Sequence, residues 1–371
     1  MTVADPITLF LCGDVMTGRG IDQILPHPGA PALHERYVQN AEQYVRLAEE
    51  SNGPVARPAD FPYVWGYALE ELERVAPDLR IINLETAVTA SDDWWRRKEV
   101  LYRMNPPNVP VLTVARIDCC ALANNHVLDW GFAGLRETLA ALRGAGVRSA
   151  GAGERLEEAE APAVLEVAGK GRVLFAACGS VTSGIPWEWG ATEDGPGVNL
   201  LEDLSADEAE RIGTRAAAQK RAGDIAVVSI HWGGNWGYGI LPEEREFAHR
   251  LIDAGVDLVH GHSSHHVKGI EVYRERLILY GCGDFLNDYE GIGGYEAFRG
   301  ELGLMYFPTL DPATGRLVRL VMSPTRLRRL RVNRASAREA GWLREVLNRE
   351  GERLGTSVTM EGDGTLALRW R

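Results

Sequence analysis

The chain has 371 residues, enough to bury a large core, and this length suits either one large domain or two small ones. With 45% hydrophobic and 25% charged residues its composition is that of an ordinary globular protein, and the formal net charge of −12 argues against a general nucleic-acid binder, because neutralising phosphates requires a basic surface. We find neither an apolar run long enough to cross a membrane as a helix nor a secretory signal, so the sequence predicts a cytoplasmic protein without a membrane anchor.

Short apolar runs bounded by turn residues alternate with helical patterns along the chain. The predicted strands cover residues 7–12, 79–83, 117–122, 147–150, 173–178, 225–231, 257–260 and 276–280. The predicted helices cover residues 37–50, 66–75, 132–144, 205–222 and 243–254. This alternation predicts a layered α/β fold.

The C-terminal part has a different pattern. Residues 301–330 predict further strands, and residues 336–350 predict an amphipathic helix that begins with a capping box of Ser336 and Glu339. Residues 357–370 predict two strands around a glycine-rich turn. We therefore divide the chain into a main domain of residues 1–328 and an appendage of residues 329–371, a helix and a β-hairpin packed on the main domain.

Polar side chains stand at the ends of several predicted strands. Asp14, Glu85 and the segment Asn124-Asn125-His126 each follow an apolar run, and His231 closes another. In open α/β sheets, ligands bind at the carboxyl ends of the strands. These residues therefore predict a metal site assembled from several loops.

Histidines are concentrated late in the chain. Six of the nine lie between His231 and His266, and a tight turn at the two serines between His262 and His265 would bring both of those rings to a metal pair. The pattern leaves open what His260 and His266 do.

Each candidate also has a simpler structural explanation when it is considered alone. Asp14 suits a turn, Glu85 suits a helix cap or an ion pair, and Asn124-Asn125 suits a turn and a helix N-cap. Arg19 is either a surface charge or a contact for an anionic group, and Arg96-Arg97-Lys98 is a local basic patch that could contact an anion. The shared position at strand ends favours one common site.

Six tryptophans near predicted loops are open to two interpretations. They could line a substrate cleft, although core packing explains tryptophan at least as often. These residues are Trp94, Trp95, Trp187, Trp189, Trp232 and Trp236.

The polar segments resemble, in order, the motifs of the capsule-synthesis CapA (poly-γ-glutamate biosynthesis) family. The resemblance spans residues 7 to 290. The segments that carry it are Gly13-Asp14-Val15-Met16, Asn83-Leu84-Glu85, Leu122-Ala123-Asn124-Asn125-His126, His231-Trp232-Gly233, His262 with His265, and Gly283-Asp284-Phe285. The resemblance implies a calcineurin-like metallophosphoesterase fold, an α/β four-layer sandwich of two mixed β-sheets flanked by helices.

The resemblance also implies roles for individual residues. One or two divalent ions, Mn²⁺, Zn²⁺ or Fe²⁺, would bind at the strand ends. Asp14 and His265 would bind the first ion, Glu85 would bridge both, and the second would be held by Asn125, His231 and His262. His126 would protonate the leaving group, with Asp129 orienting its ring. The predicted substrate contacts are Arg19, Asn124 and Trp232.

Two departures from the phosphoesterase pattern affect the predicted site. Met16 stands where phosphoesterases have a histidine, so the first metal site lacks one ligand. The late histidines are spaced His-Ser-Ser-His where the pattern has His-x-His, which leaves open whether Ser263, His265 or His266 contacts metal.

The sequence thus predicts a metal-dependent hydrolase that acts on a phosphoester or an amide, including a γ-glutamyl amide, in a small molecule or an anionic polymer. The alternative is a non-catalytic or ligase-assisting component of poly-γ-glutamate, capsule or related amide assembly, with a Mur-ligase-like partner. The missing histidine at Met16 favours this alternative. Capsule-associated members of the family are typically tethered to a membrane, and no tether is evident in this sequence.

Overall fold

The structure, a computed structural model that describes residues 5–371, alternates strands and helices as the sequence predicts. The α-helices are α1 Gly20–Ile24, α2 Glu42–Asn52, α3 Tyr67–Val75, α4 Pro110–Val114, α5 Gly131–Gly144, α6 Leu156–Glu160, α7 Ala206–Ala217, α8 Pro242–Asp253 and α9 Ala337–Gly351. Each predicted helix is confirmed, although α2 begins five residues later and α7 ends five residues earlier than predicted. The short helices α1, α4 and α6 were not predicted. None of the described helices is both long and apolar enough to cross a membrane.

The strands include every predicted one and several short ones that were not predicted. In chain order, the first half holds β1 Ile7–Phe10, β2 Asp14–Val15, β3 Leu79–Leu84, β4 Ala87–Val88, β5 Arg103–Met104, β6 Cys119–Ala121, β7 Arg148–Ala150, β8 Ala152–Gly153, β9 Ala163–Val167, β10 Gly171–Ser180, β11 Gly197–Val198 and β12 Leu200–Leu201. The second half holds β13 Ile225–His231, β14 Leu258–His262, β15 Ile270–Tyr273, β16 Arg276–Leu279, β17 Asp284–Leu286, β18 Leu302–Asp311, β19 Arg316–Leu327, β20 Val332–Arg334, β21 Thr356–Met360 and β22 Leu366–Trp370.

The first large sheet is mixed. Strand β3 pairs in parallel with β1, β2 and β6, and β6 pairs in parallel with β7. Strand β17 adds to β2 in parallel, while β18 pairs antiparallel with β1 and leads to the antiparallel strands β19, β22 and β21. The carboxyl ends of β2, β3 and β6 therefore lie side by side.

The second large sheet has a parallel centre. Strands β12, β10, β13, β14 and β16 pair in parallel in that order, and β9 and β15 add antiparallel edges. The register sets His231 of β13 opposite His262 of β14, so both histidines end their strands at the same edge.

The hydrophobic cores show how the two sheets and the helices pack. One core contains residues from both sheets, including Leu9 and Ile81 from the first and Val227 and Leu258 from the second. The neighbour of Val227, Val228, contributes instead to a core shared with α7 and α8, because side chains along a strand alternate between its faces. A third core joins the first sheet to α2, α3, α4 and α5. The protein is therefore a mixed α/β fold.

The C-terminal elements extend these layers. Strand β22 pairs with β19, and α9 contributes Leu343, Val346 and Leu347 to the core between the sheets. The capping box is confirmed, since Ser336 Oγ accepts from the Glu339 amide and the Glu339 carboxylate accepts from the Ser336 amide. The division of the chain at residue 328 stays a prediction.

Candidate metal centre

Side chains from both large sheets meet at the carboxyl ends of their parallel strands. Within the described residues, two groups could each hold a metal ion, and in each group one ligand atom per residue lies within 4.8 Å of the others. The first group is Asp14, His265 and Asp284, and the second is Asp14, His231 and His262. Asp14 belongs to both groups, so the two possible ion positions are adjacent.

The strand register explains why these residues meet. Asp14 and Asp284 are direct partners in the parallel pair of β2 and β17, and a close approach of the two backbones makes this pairing possible. Gly13 is required for that approach, because a Cβ added there would lie 1.6 Å from the carbonyl oxygen of Gly283. In the second sheet, the Nδ1 atoms of His231 and His262 lie 2.8 Å apart.

Glu85 and Asn125 lie at the second group. Glu85 Oε1 lies 3.9 Å from His231 Nε2, and Asn125 Oδ1 lies 3.1 Å from the same nitrogen. The other carboxylate oxygen, Glu85 Oε2, is buried and has no hydrogen-bond partner. A buried anionic oxygen without a partner is costly, so its position suits a cation.

The electrostatics of the centre also fit a divalent cation. Burial, followed by the charge of Asp284, raises the pKa of Asp14 to about 7. Burial, followed by the charges of Asp14 and Asp284, raises the pKa of Glu85 well above its usual value. Burial lowers the pKa values of His231 and His262, which favours the neutral imidazole that binds metals. Crowded carboxylates beside neutral imidazoles form a donor set that a divalent cation would satisfy.

The turn after β14 places the imidazole of His265, and not the side chains of Ser263 or His266, at the candidate ion positions. Ser263 adopts a φ of 103°, a strained value for a residue with a Cβ, and its hydroxyl donates to the Gly233 carbonyl oxygen. Both ring nitrogens of His266 lie within hydrogen-bond distance of backbone atoms, those of Gly237 and Val267. His265 Nδ1 instead lies 2.9 Å from Asp284 Oδ1.

His260 lies outside the centre as well. Its Nε2 is 2.8 Å from the Cys12 carbonyl oxygen and its Nδ1 is 3.1 Å from Ser229 Oγ, so both nitrogens are engaged within the core. Of the four histidines between residues 260 and 266, His262 and His265 are therefore the two that reach the candidate ion positions.

Asp284 is a member of the centre that the sequence analysis did not predict as a ligand. It begins the three-residue strand β17 and supplies a carboxylate oxygen to the first group. Its position after the predicted strand 276–280, within a segment that carried the family resemblance, was the available signal.

His126 lies next to the centre, and Asp129 contacts its ring on the side away from the centre. Its Nδ1 is 2.6 Å from Asp129 Oδ2, and its Nε2 is 3.7 Å from Glu85 Oε1. Asp129 Oδ2 also accepts from the Tyr102 amide at 2.7 Å. Burial, followed by the charge of Lys98, lowers the pKa of His126, while burial raises the pKa of Asp129 to about 7. This arrangement leaves the Nε2 side of the imidazole directed toward the centre.

Lys98 is the member of the basic patch that reaches the centre. Its Nζ donates to the Asn125 carbonyl oxygen at 2.5 Å and lies 3.7 Å from Asp129 Oδ1. Its neighbour Arg97 pairs instead with Glu188 at 3.3 Å. The sequence patch therefore contains one ammonium group beside His126 and one surface ion pair.

The three predicted substrate contacts have their polar atoms engaged within the protein. The Arg19 guanidinium pairs with Asp288 at 2.5 Å and with Glu35 at 3.3 Å, and the Trp232 indole donates to the Tyr280 carbonyl oxygen at 3.0 Å. All three side chains are buried. Their contact with substrate stays a prediction.

Asn124 is connected to the centre indirectly, through a hydrogen bond to Asn83, which in turn contacts Asp14. Its Nδ2 donates to Asn83 Oδ1 at 3.0 Å, and Asn83 Nδ2 donates to Asp14 Oδ1 at 2.7 Å. Its own Oδ1 accepts from the amides of His126 and Val127. One amide side chain thus links the orientation of Asp14 to the backbone position of His126.

Comparison with known proteins places the chain in a family. Residues 8–289 match the family model described as Bacterial capsule synthesis protein PGA_cap. A Mycobacterium tuberculosis protein named as a probable polyglutamine synthesis accessory protein is 52% identical over 365 residues, which cover 98% of this chain and 96% of that protein. The PGA biosynthesis protein CapA of Bacillus subtilis is 28% identical over 285 residues, which cover 76% of this chain and 64% of that protein.

A solved structure, TT1561 of Thermus thermophilus, aligns with a TM-score of 0.39 at 11% identity, covering 84% of this chain and 97% of that one. A score of this size is too low to establish a shared fold. The match to the family model and the relatives is independent of it. The chain therefore belongs to the bacterial capsule synthesis (PGA_cap, CapA) family, which is part of the metallophosphoesterase-like superfamily.

Proposed function

We propose that this protein is a metal-dependent hydrolase of phosphoester or amide bonds, including γ-glutamyl amides, and that it acts in capsule or polyglutamate metabolism. The observation that carries the proposal is the pair of ligand groups that share Asp14. The unpartnered Glu85 Oε2 supports a bridging role for Glu85 between two ions.

The residues divide into two ion positions. Asp14, Asp284 and His265 would hold the first ion, and the second would be held by Asp14, Asn125, His231 and His262. Mn²⁺, Zn²⁺ or Fe²⁺ suits this mixture of carboxylate, amide and imidazole ligands. When bound, such ions polarise a phosphoryl or carbonyl oxygen and activate water as a nucleophile.

The protein's own side chains would deliver a proton to the leaving group and stabilise negative charge. His126 would hold a proton at Nε2 and deliver it to the leaving group, while Asp129 fixes the ring through Nδ1. Lys98 would stabilise negative charge next to His126, because its ammonium group has three donors and the Asn125 carbonyl oxygen accepts from only one of them.

The fold is part of the same proposal. We infer that the two sheets and the helices outside them form the four-layer sandwich of metallophosphoesterases, with residues 329–371 as an appendage. The core shared by both sheets and the separate cores beneath the helices support the sandwich.

The hydrolase proposal is tested by metal loading followed by assay. Purified protein is loaded with Mn²⁺, Zn²⁺ or Fe²⁺, its metal content is measured, and it is assayed with phosphoesters and γ-glutamyl amides. We expect metal-dependent turnover that falls by about two to four orders of magnitude in His126→Ala with unchanged metal content. The control is His27→Ala, which removes an exposed loop histidine and should keep wild-type turnover. No metal-dependent turnover of either substrate class would overturn the proposal.

The second candidate function is an accessory role in polymer assembly beside a Mur-ligase-like partner. The name of the M. tuberculosis relative favours it, as does the loss of a ligand at Met16. The His126→Ala variant is expressed in cells from which the wild-type protein has been deleted. If these cells make normal polymer, and the protein co-purifies with a ligase of that class, the accessory role is favoured over catalysis.

A further inference from the structure

A cavity of about 230 Å³ lies directly beside the first ligand group. Three of its lining residues contact the ligands themselves. Asn287 Nδ2 donates to Asp284 Oδ2 at 2.7 Å, and the rings of Tyr289 and Trp236 lie edge-on to His265 at 5.2 Å and 5.4 Å between centroids. These three side chains therefore connect the lining of the cavity to the ligands of the first group.

One wall of the cavity is aromatic and apolar. Trp236 and Tyr295 stack with centroids 4.1 Å apart and planes 4° apart. Trp236 also stacks on His266, with centroids 6.0 Å apart, so two neighbouring rings hold the indole in place. Tyr295 and Ile292 both line the cavity and are each 50% exposed, so together they leave apolar surface that a ligand could cover.

Each charged side chain in the lining of the cavity has a hydrogen-bond or ion-pair partner within the protein. Glu290 accepts from Asn52 and from the amides of residues 329 and 330, and Glu296 accepts from the Gly294 amide. Glu301 pairs with Arg299, and Arg326 pairs with Glu339. The lining therefore carries three carboxylates and one guanidinium, and no unpaired cation among the described residues could receive an anionic group.

We propose that this cavity is the specificity pocket of the metal centre and that it binds an uncharged, ring-bearing group of the substrate. This inference rests on the proposed function and specifies the kind of substrate group that binds beside the metal centre. A flat ring would cover the open face of Tyr295 and Ile292, whereas a carboxylate or phosphate would meet the excess of acidic groups. A polyanionic chain with a negative charge on each unit is thus a poor occupant of this side of the centre.

The pocket is tested with three phosphate probes that differ only in their organic group. Binding of methyl phosphate, phenyl phosphate and 4-carboxyphenyl phosphate to the Mn²⁺-loaded protein is measured by calorimetry. We expect phenyl phosphate to bind about tenfold more tightly than methyl phosphate, and the carboxylated ring to bind more weakly than the plain one. Tyr295→Ala should remove most of the preference for a ring. Tyr37→Ala, which removes a tyrosine that is 90% exposed and outside the cavity, should keep it.

A second measurement separates the pocket from the metal chemistry. Saturation-transfer NMR with benzyl alcohol and benzoate, on the full chain with and without metal, reports ring binding in the absence of a phosphate group. We expect contact with benzyl alcohol that Tyr295→Ala weakens, and less contact with benzoate. Equal binding of methyl and phenyl phosphate, or preference for the carboxylated probes, would overturn the pocket. If no phosphate probe binds and no turnover occurs, the hydrolase proposal fails, while the NMR result still decides the pocket.

Discussion

Without divalent metal, the buried Asp14 carboxyl should contribute a loss of stability as pH rises. The Asp14 carboxyl is fully buried beside Glu85 and Asp284, and its pKa is raised from 3.8 to about 7, first by burial and then by Asp284. Below the ordinary pKa both the folded and the unfolded chain hold the proton. As pH rises, the unfolded chain releases it first, so the folded state loses stability until the pH passes the folded-state pKa.

That rise in the pKa of Asp14 corresponds to ~4 kcal/mol of unfolding free energy lost between about pH 4 and about pH 7. Glu85 acts in the same direction, because burial and the same neighbours raise its pKa as well. For a chain of 371 residues the unfolding entropy is roughly 0.8 kcal/mol per kelvin, so the loss from Asp14 corresponds to a melting temperature about 5 °C lower. A bound divalent cation would remove most of this fall by neutralising the carboxylates.

The assay is a thermal melt across this pH range with a chelator and again with Mn²⁺. Glu85→Gln removes one of the crowded carboxylates, so its metal-free melting temperature should rise relative to that of the wild type as pH increases, and Mn²⁺ should stabilise it less. Glu73→Gln, on the exposed side of α3, is the matched control and should follow the wild type. An equal change of the metal-free melting temperature with pH in wild type and Glu85→Gln, or an equal gain from Mn²⁺ in both, would refute the reasoning.

Three further predictions test single residues at or next to the centre. Asp284→Asn should lower the metal content from two ions to one per chain, measured by elemental analysis; an unchanged content would show that Asp284 is not a ligand. Lys98→Met should weaken methyl phosphate binding by about tenfold at unchanged metal content, whereas Lys170→Met, which breaks a surface pair with Asp78, should not. Ser263→Gly should raise the free energy of unfolding by about 1 kcal/mol in denaturant melts, because glycine adopts a φ of 103° without strain; a destabilised variant would mean that the hydrogen bond of the serine hydroxyl outweighs the strain.

Much of the candidate centre could be predicted from the sequence because most of its residues end or follow regular, buried strands. The near-continuous apolar run of β13 and the apolar residues before His262 identify parallel strands, and such strands bring their carboxyl ends to one edge. For this reason the sequence alone predicts that Asp14, His231 and His262 converge, and their ligand atoms do lie together.

There is a physical reason why the sequence did not predict the roles of some residues. Strand β17 has three residues, too few for a periodic pattern, so the role of Asp284 depends on its pairing with β2. A sequence also does not show whether a charged side chain is exposed or buried. Arg19 could have been a surface charge or an anion contact, and the structure buries it between Asp288 and Glu35.

By itself, the sequence determined the order of the elements, the edge at which the polar residues gather and the residue types available to bind metal, because local periodicity and strand direction depend on neighbouring residues. Only the tertiary structure decided which histidine turns toward the centre, that Asp284 joins Asp14, and that an aromatic cavity adjoins them. Those features depend on pairs of segments far apart in the chain, such as β2 with β17 and Trp236 with Tyr295, whose contacts no local pattern records.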